Sequence, residues 1–180
     1  MSGRLMRRLL TLSRMIDALS DWVGRALQWV ALLMIALGVV NVIGRYLGAE
    51  LGMQLSSNTL LEGQIQAFAV IFLLGSGYLL RHDGHIRVDI LQSGFSARTR
   101  AWVDLLGTLL ALVPFCTVML LYGIDYVALA WERLEASPNP GGLPLYPIKT
   151  VLVVGFALLL VQGVSQAIKA TATLIDRHPQ

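Results

Sequence analysis

Charge is the scarcest commodity in this chain. Asp, Glu, Lys and Arg make up 14% of its 180 residues, where a soluble domain carries roughly 25%. That shortfall excludes an ordinary water-facing globular fold. Cysteine is nearly absent as well: Cys116 stands alone inside an apolar run. An intramolecular disulfide and any chemistry that needs paired thiols are excluded, and such a thiol acts as a small hydrophobe. No Walker loop, zinc-ligand spacing or nucleophile–base set occurs. No histidine pair sits within an apolar run to ligate haem. The chain reads as no enzyme, with no cofactor or metal of its own.

What is present is apolar. Hydrophobic residues make up 56%, and the mean hydropathy is +0.66. Four uncharged runs stand out: 26–44, 63–80, 105–124 and 150–168. A bilayer core of ~30 Å needs about 20 helical residues at ~1.5 Å each. The reading is an all-α integral membrane protein with four transmembrane helices, at about 22–46, 60–80, 101–126 and 148–170, in a single membrane domain. None of the four runs contains Asp, Glu, Lys, Arg or His. Ionisable groups at membrane depth usually mark ion, proton or substrate paths. There is also no convincing internal repeat and no Gly/Pro-broken pair of spans of the kind transporters use for binding. Alone, the chain is poorly equipped to move anything polar.

The net charge is +3, and its placement matters more than its size. Arg4, Arg7, Arg8, Arg14 and Arg25 precede the first span, Arg81, Arg87, Arg98 and Arg100 separate the second from the third, and Lys169 and Arg177 follow the fourth. Only Arg45, Arg133 and Lys149 fall on the other side. The positive-inside rule then places both termini and the middle loop in the cytoplasm of an inner-membrane protein. The basic excess is topology and contact with lipid headgroups, not nucleic-acid binding.

Taken in order, residues 1–21 carry an apolar stripe, Leu5, Leu9, Leu12, Ile16 and Leu19, expected to lie as an interfacial amphipathic helix on the headgroups. Arg7-Arg8 is too far from the first apolar run for an export signal, and no cleavable signal peptide is expected. Near the outer end of span one, Asn41 and Arg45 share a face. Glu62 and Gln66 share a face at the start of span two. Arg45 and Glu62 fall at similar depth, so either they form an ion pair or each snorkels to the headgroups. Gly63 and Ala67 are spaced for close helix approach. In the middle loop, His85, Arg87 and Asp89 alternate with apolar residues, as in a short amphipathic surface segment. His82, Asp83, His85 and Asp89 include metal-ligand types, but arginines are interspersed and the spacing matches no metal motif. Pro114 is expected to kink span three. The Pro/Gly run 137–144 must be irregular: either an outward-facing contact surface or a tight return to span four. Gln162, Ser165 and Gln166 are placed to bond other helices. The tail, 171–180, is polar and expected to be loose.

Gly75, the stretch Gly84-His85-Ile86-Arg87-Val88-Asp89 after span two, Arg45-Tyr46 and Glu62 together resemble the small membrane subunit, DctQ type, of the tripartite ATP-independent periplasmic (TRAP) transporters. The resemblance covers nearly the whole chain in length, span count and loop order. It implies a sodium-driven importer of organic acids. A periplasmic substrate-binding protein delivers the substrate, and a large multi-span subunit carries the substrate and sodium sites. The small subunit enlarges and stiffens the stationary scaffold. On this reading Arg45, Glu62, Gln66 and Gly75 serve helix packing or an interface, and His85, Arg87 and Asp89 order the cytoplasmic loop. The alternatives are an accessory four-helix subunit of another inner-membrane complex, or a small homo-oligomeric channel or transporter.

Overall fold

The computed structural model describes residues 3–53, 55–82 and 96–175. Helix α1 spans Gly3–Leu51, α2 Asn58–Arg81, α3 Ala97–Gly107, α4 Val113–Glu132 and α5 Tyr146–Ile175. A π-helical turn, Thr108–Leu112, joins α3 to α4, so that 97–132 is one helical unit. Four such units are long and apolar enough to cross a membrane. Helix is what hydrocarbon demands, because it satisfies every backbone donor within the segment. Chain ends are signalled locally. Ser57 accepts the Leu60 N–H at 3.2 Å and caps α2, and Ser96 does the same for Thr99 at the head of α3. Gly52, at φ +65°, stops α1 in the left-handed conformation that favours glycine.

Helix α5 is the hub and touches every other helix. Of its most apolar stretch 22% is buried, against 11% for each of the other spans. The pair α1–α2 lies on one side of it and the α3–α4 unit on the other. Two glycines of α5 permit the approach. A Cβ on Gly155 would sit 2.8 Å from the Leu73 carbonyl oxygen of α2, and one on Gly163 would sit 2.5 Å from Leu112 Cδ2. Gly63 and Gly75, singled out in the sequence, are less crowded: their nearest neighbours would be Leu37 and Leu27, each at 3.5 Å.

The π turn explains how Pro114 is accommodated. Proline lacks an N–H and its ring crowds the carbonyl four residues back. One residue earlier, Val113 donates its N–H to Thr108 O, five residues back, which widens the turn where the ring must fit. The expected local distortion is therefore a change of helical register, and it presses Leu112 against Gly163.

The segment 1–21 is not a separate helix. It is helical, but continuous with the first span: the 49 residues of α1 reach ~73 Å at 1.5 Å each. Its polar side, Ser13, Asp17 and Ser20, is buried against α5, which fixes its direction, while Leu5, Leu12 and Leu19 stay exposed. The expected loose tail is helical as far as Ile175. The amphipathic segment expected in the middle loop, with His85, Arg87 and Asp89, lies outside the described residues.

The two glycine environments make opposite predictions. Gly155→Ala pushes a methyl into backbone that cannot swing aside, and is expected to cost about 1–3 kcal/mol. Gly75→Ala meets ordinary van der Waals distance and is expected to be neutral or stabilising by up to ~1 kcal/mol through helix propensity. Thermal unfolding in detergent distinguishes them.

Candidate functional site

The polar side chains of the bundle gather at its two ends. At the end that carries the chain termini, Asp17 of α1 is the centre. Gln162 Nε2 donates to Asp17 Oδ1 at 3.1 Å and Ser165 Oγ donates to the same oxygen at 2.9 Å. Lys169 Nζ lies 2.6 Å from Oδ2. A carboxylate only accepts and a serine has one hydroxyl proton. Ser165 therefore gives its proton to Asp17 and receives one from Ser13, whose Oγ is 2.7 Å away. The Gln162 carbonyl in turn accepts from Ser20 Oγ at 2.7 Å. Gln162 and Ser165 are completely buried, and among the described residues no buried side-chain polar atom lacks a partner. Helix α2 joins through its last residue: Arg81 donates to the Asp17 backbone carbonyl and pairs with Asp21. His82 Nε2 lies 3.0 Å from the other Asp21 oxygen, and its ring lies against Tyr78, centroids 4.4 Å apart.

At the opposite end Glu62 holds a loop. Its Oε1 accepts from Ser137 Oγ and, at 2.8 Å, from Asn139 Nδ2; its Oε2 accepts the Leu143 backbone N–H at 2.6 Å. One turn on, Gln66 Nε2 donates to Pro144 O at 3.0 Å. Thr59 Oγ1 donates to Gly141 O at 2.6 Å and Asn58 Nδ2 to Pro140 O at 3.3 Å. One face of α2 thus grips the segment 137–144. That segment is itself folded back, with Ser137 N–H donating to Leu143 O at 3.0 Å and Leu145 N–H to Glu135 O at 2.8 Å. Behind it, Lys149 pairs with Glu135 and lies 4.1 Å from the Tyr126 ring centroid. The Trp131 indole donates to Thr150 Oγ1 at 2.9 Å. The turn between α1 and α2 is fixed separately: buried Asn41 accepts the Ser57 N–H at 3.2 Å.

The residues singled out in the sequence fall into three groups. Glu62 and Gln66 act together, as their shared face suggested, on a loop rather than on a helix. Arg45 is exposed, and of the two alternatives for it the ion pair is not formed: the Glu62 carboxylate is occupied by Ser137, Asn139 and Leu143. Gly75 is buried where α2 faces Leu27 of α1. His85, Arg87 and Asp89 lie outside the described residues. Ser13, Asp17 and Ser20 were not singled out. Their signal is a polar stripe at i, i+4 and i+7, matched by Gln162, Ser165 and Lys169 at i, i+3 and i+7. Among the described residues no group of three His, Cys, Asp or Glu could hold a metal.

This is the architecture of a multi-pass membrane protein whose polar chemistry is spent on tying its own helices and one loop together. The family comparison is specific about which. The model of the DctQ component of the tripartite ATP-independent periplasmic transporters matches residues 34–173. The chain belongs to that family: it is a DctQ-type small membrane subunit, a transporter component and not an enzyme. No curated protein and no solved structure matches it.

Two substitutions test the clusters. Asp17→Ala leaves the buried Gln162 amide and Ser165 hydroxyl without their acceptor and is expected to cost about 1–3 kcal/mol. With Ser165→Ala it should couple by about 0.5–3 kcal/mol in a double-mutant cycle read by unfolding in detergent. Glu62→Gln is expected to speed hydrogen exchange at the Leu143 amide and open 137–144 to protease, whereas Arg45→Gln leaves both unchanged.

Proposed function

We propose that this chain is the stationary brace of a sodium-coupled importer of organic acids and holds no substrate site of its own. In this reading a large multi-span subunit carries the substrate and sodium sites. A periplasmic binding protein delivers the substrate, and both termini of the small subunit face the cytoplasm. The observation that carries it is the distribution of polarity. Nothing in the four uncharged runs ionises as Asp, Glu, Lys, Arg or His, and the described polar networks lie at the two ends, where they bind helix to helix and helix to loop. A conduction path would need polar groups at mid-depth; a brace needs fixed ends. The basic residues favour the stated orientation by the positive-inside rule.

Reconstitution in vesicles is the test. The large subunit, this chain and the binding protein together are expected to take up an organic acid only when an inward sodium gradient is imposed. This chain alone is expected to take up none. Uptake by this chain alone would overturn the reading, and so would uptake by the large subunit and binding protein that is undiminished without this chain.

A further inference from the structure

We infer that residues 4–25 of α1 form a docking surface for anionic phospholipid, with five arginines on the phosphates and a leucine stripe on the acyl chains beside them. Arg4, Arg7, Arg8, Arg14 and Arg25 are all exposed. At 3.6 residues per turn they fall within about 120° of arc. That arc is turned away from Ser13, Asp17 and Ser20, whose bonds to α5 fix the rotation of the helix. None of the five guanidinium groups has a partner among the described residues. The two acids of the stretch do not offset them: Asp17 is held by Lys169, and Asp21 by Arg81 and His82.

Composition and depth together identify the occupant. The arginine arc also carries Met15 and Trp22, 67% and 62% exposed, and Leu5, Leu12 and Leu19 run exposed along its edge. A basic helix facing water gains nothing from such side chains. One at a bilayer surface places them among headgroups and acyl chains. The depth is set by Met6 and Leu9, which line a groove of about 350 Å³ with Leu105, Leu109, Gly163 and Ile168. Those four belong to the uncharged runs 105–124 and 150–168, so this part of α1 lies at the edge of the hydrocarbon instead of projecting away from it. Arg4 and Arg25 are ~32 Å apart along the helix. A leaflet presents phosphates over all of that length, and a guanidinium can take one through two parallel hydrogen bonds. The attraction grows with each arginine near an anionic surface, whereas a zwitterionic headgroup offsets its own phosphate with an ammonium.

The inference is independent of what the importer carries, and the full chain tests it. The chain in detergent is titrated with phosphatidylglycerol and with phosphatidylcholine of the same acyl chains, and bound lipid is counted by native mass spectrometry. Phosphatidylglycerol is expected to bind about tenfold tighter. Replacing Arg4, Arg7, Arg8, Arg14 and Arg25 together by Gln is expected to abolish that preference, and replacing them by Lys to keep most of it. Equal binding of the two lipids overturns the inference, as does a preference that survives the Gln variant or that the Lys variant loses as fully. Excess glycerol 3-phosphate is expected not to displace the lipid; displacement would mean a site for free phosphate and overturns the inference. A photo-crosslinking amino acid at Met15 leaves every arginine in place, so that arm does not depend on the folding of the variants. In cell membranes that hold the chain with the large subunit, it is expected to yield a phospholipid adduct. A protein adduct in its place, or no adduct, overturns the inference.

Discussion

The Asp17 carboxylate is the point on which the terminal end of the bundle depends. Taking a charged group out of water costs several kcal/mol, and a single counter-charge seldom repays it. Here the repayment is shared. Lys169 supplies the charge, Gln162 and Ser165 supply two directed protons, and Ser13 and Ser20 satisfy what those two leave over. The donors and acceptors of α1 and α5 match across their seam and leave no described buried side-chain atom unpaired, so the network specifies the rotation of α1 about its axis and its register against α5. Arg81, reaching the Asp17 carbonyl and Asp21, then fixes the end of α2 to the same point. Apolar packing alone would not do this, because one leucine face slides over another at little cost, and lipid tails are as apolar as leucine.

The opposite end solves a different problem with the same means. The segment 137–144 has three prolines and two glycines and cannot form a helix or a regular ladder. Its backbone groups need partners from elsewhere, and α2 provides them through Asn58, Thr59, Glu62 and Gln66. Between the two clusters the helices approach through glycine rather than through polar contact, with Gly155 against Leu73 as the closest backbone approach. A body fixed at both ends and closely packed between them resists bending. Resistance to bending is what the proposed bracing role requires.

The number of long apolar helices was legible because hydropathy and length follow directly from the bilayer as solvent. The shared face of Glu62 and Gln66 was legible too, because four residues is one helical turn. Their partner was not: the loop segment they hold lies some eighty positions away, and nothing local encodes that approach. The contacts of residues 1–21 were not legible for a related reason. The leucine stripe is conspicuous and suits a membrane surface, but the side that decides placement is the polar one, Ser13, Asp17 and Ser20. Polar residues on an amphipathic helix ordinarily face water. That these face α5 becomes visible only when Gln162, Ser165 and Lys169 are set beside them as a matching stripe. Likewise Pro114 announces a distortion, but whether the helix bends or changes register depends on the neighbour, and Gly163 leaves room for Leu112.

The same reasoning governs how the outer surface can be interpreted. In a soluble protein an exposed apolar patch signals a partner. In this chain large hydrophobic side chains are exposed on every span, and that is simply what lipid requires, so apolarity carries no information about assembly. The sign of the argument inverts: the informative group is the polar one that finds no partner within the chain. The described polar groups at the two ends have such partners to a high degree, with Gln162 and Ser165 fully buried and fully bonded. Against that background, the guanidinium groups of Arg4, Arg7, Arg8, Arg14 and Arg25 are conspicuous for sharing a face of α1 and bonding to nothing among the described residues.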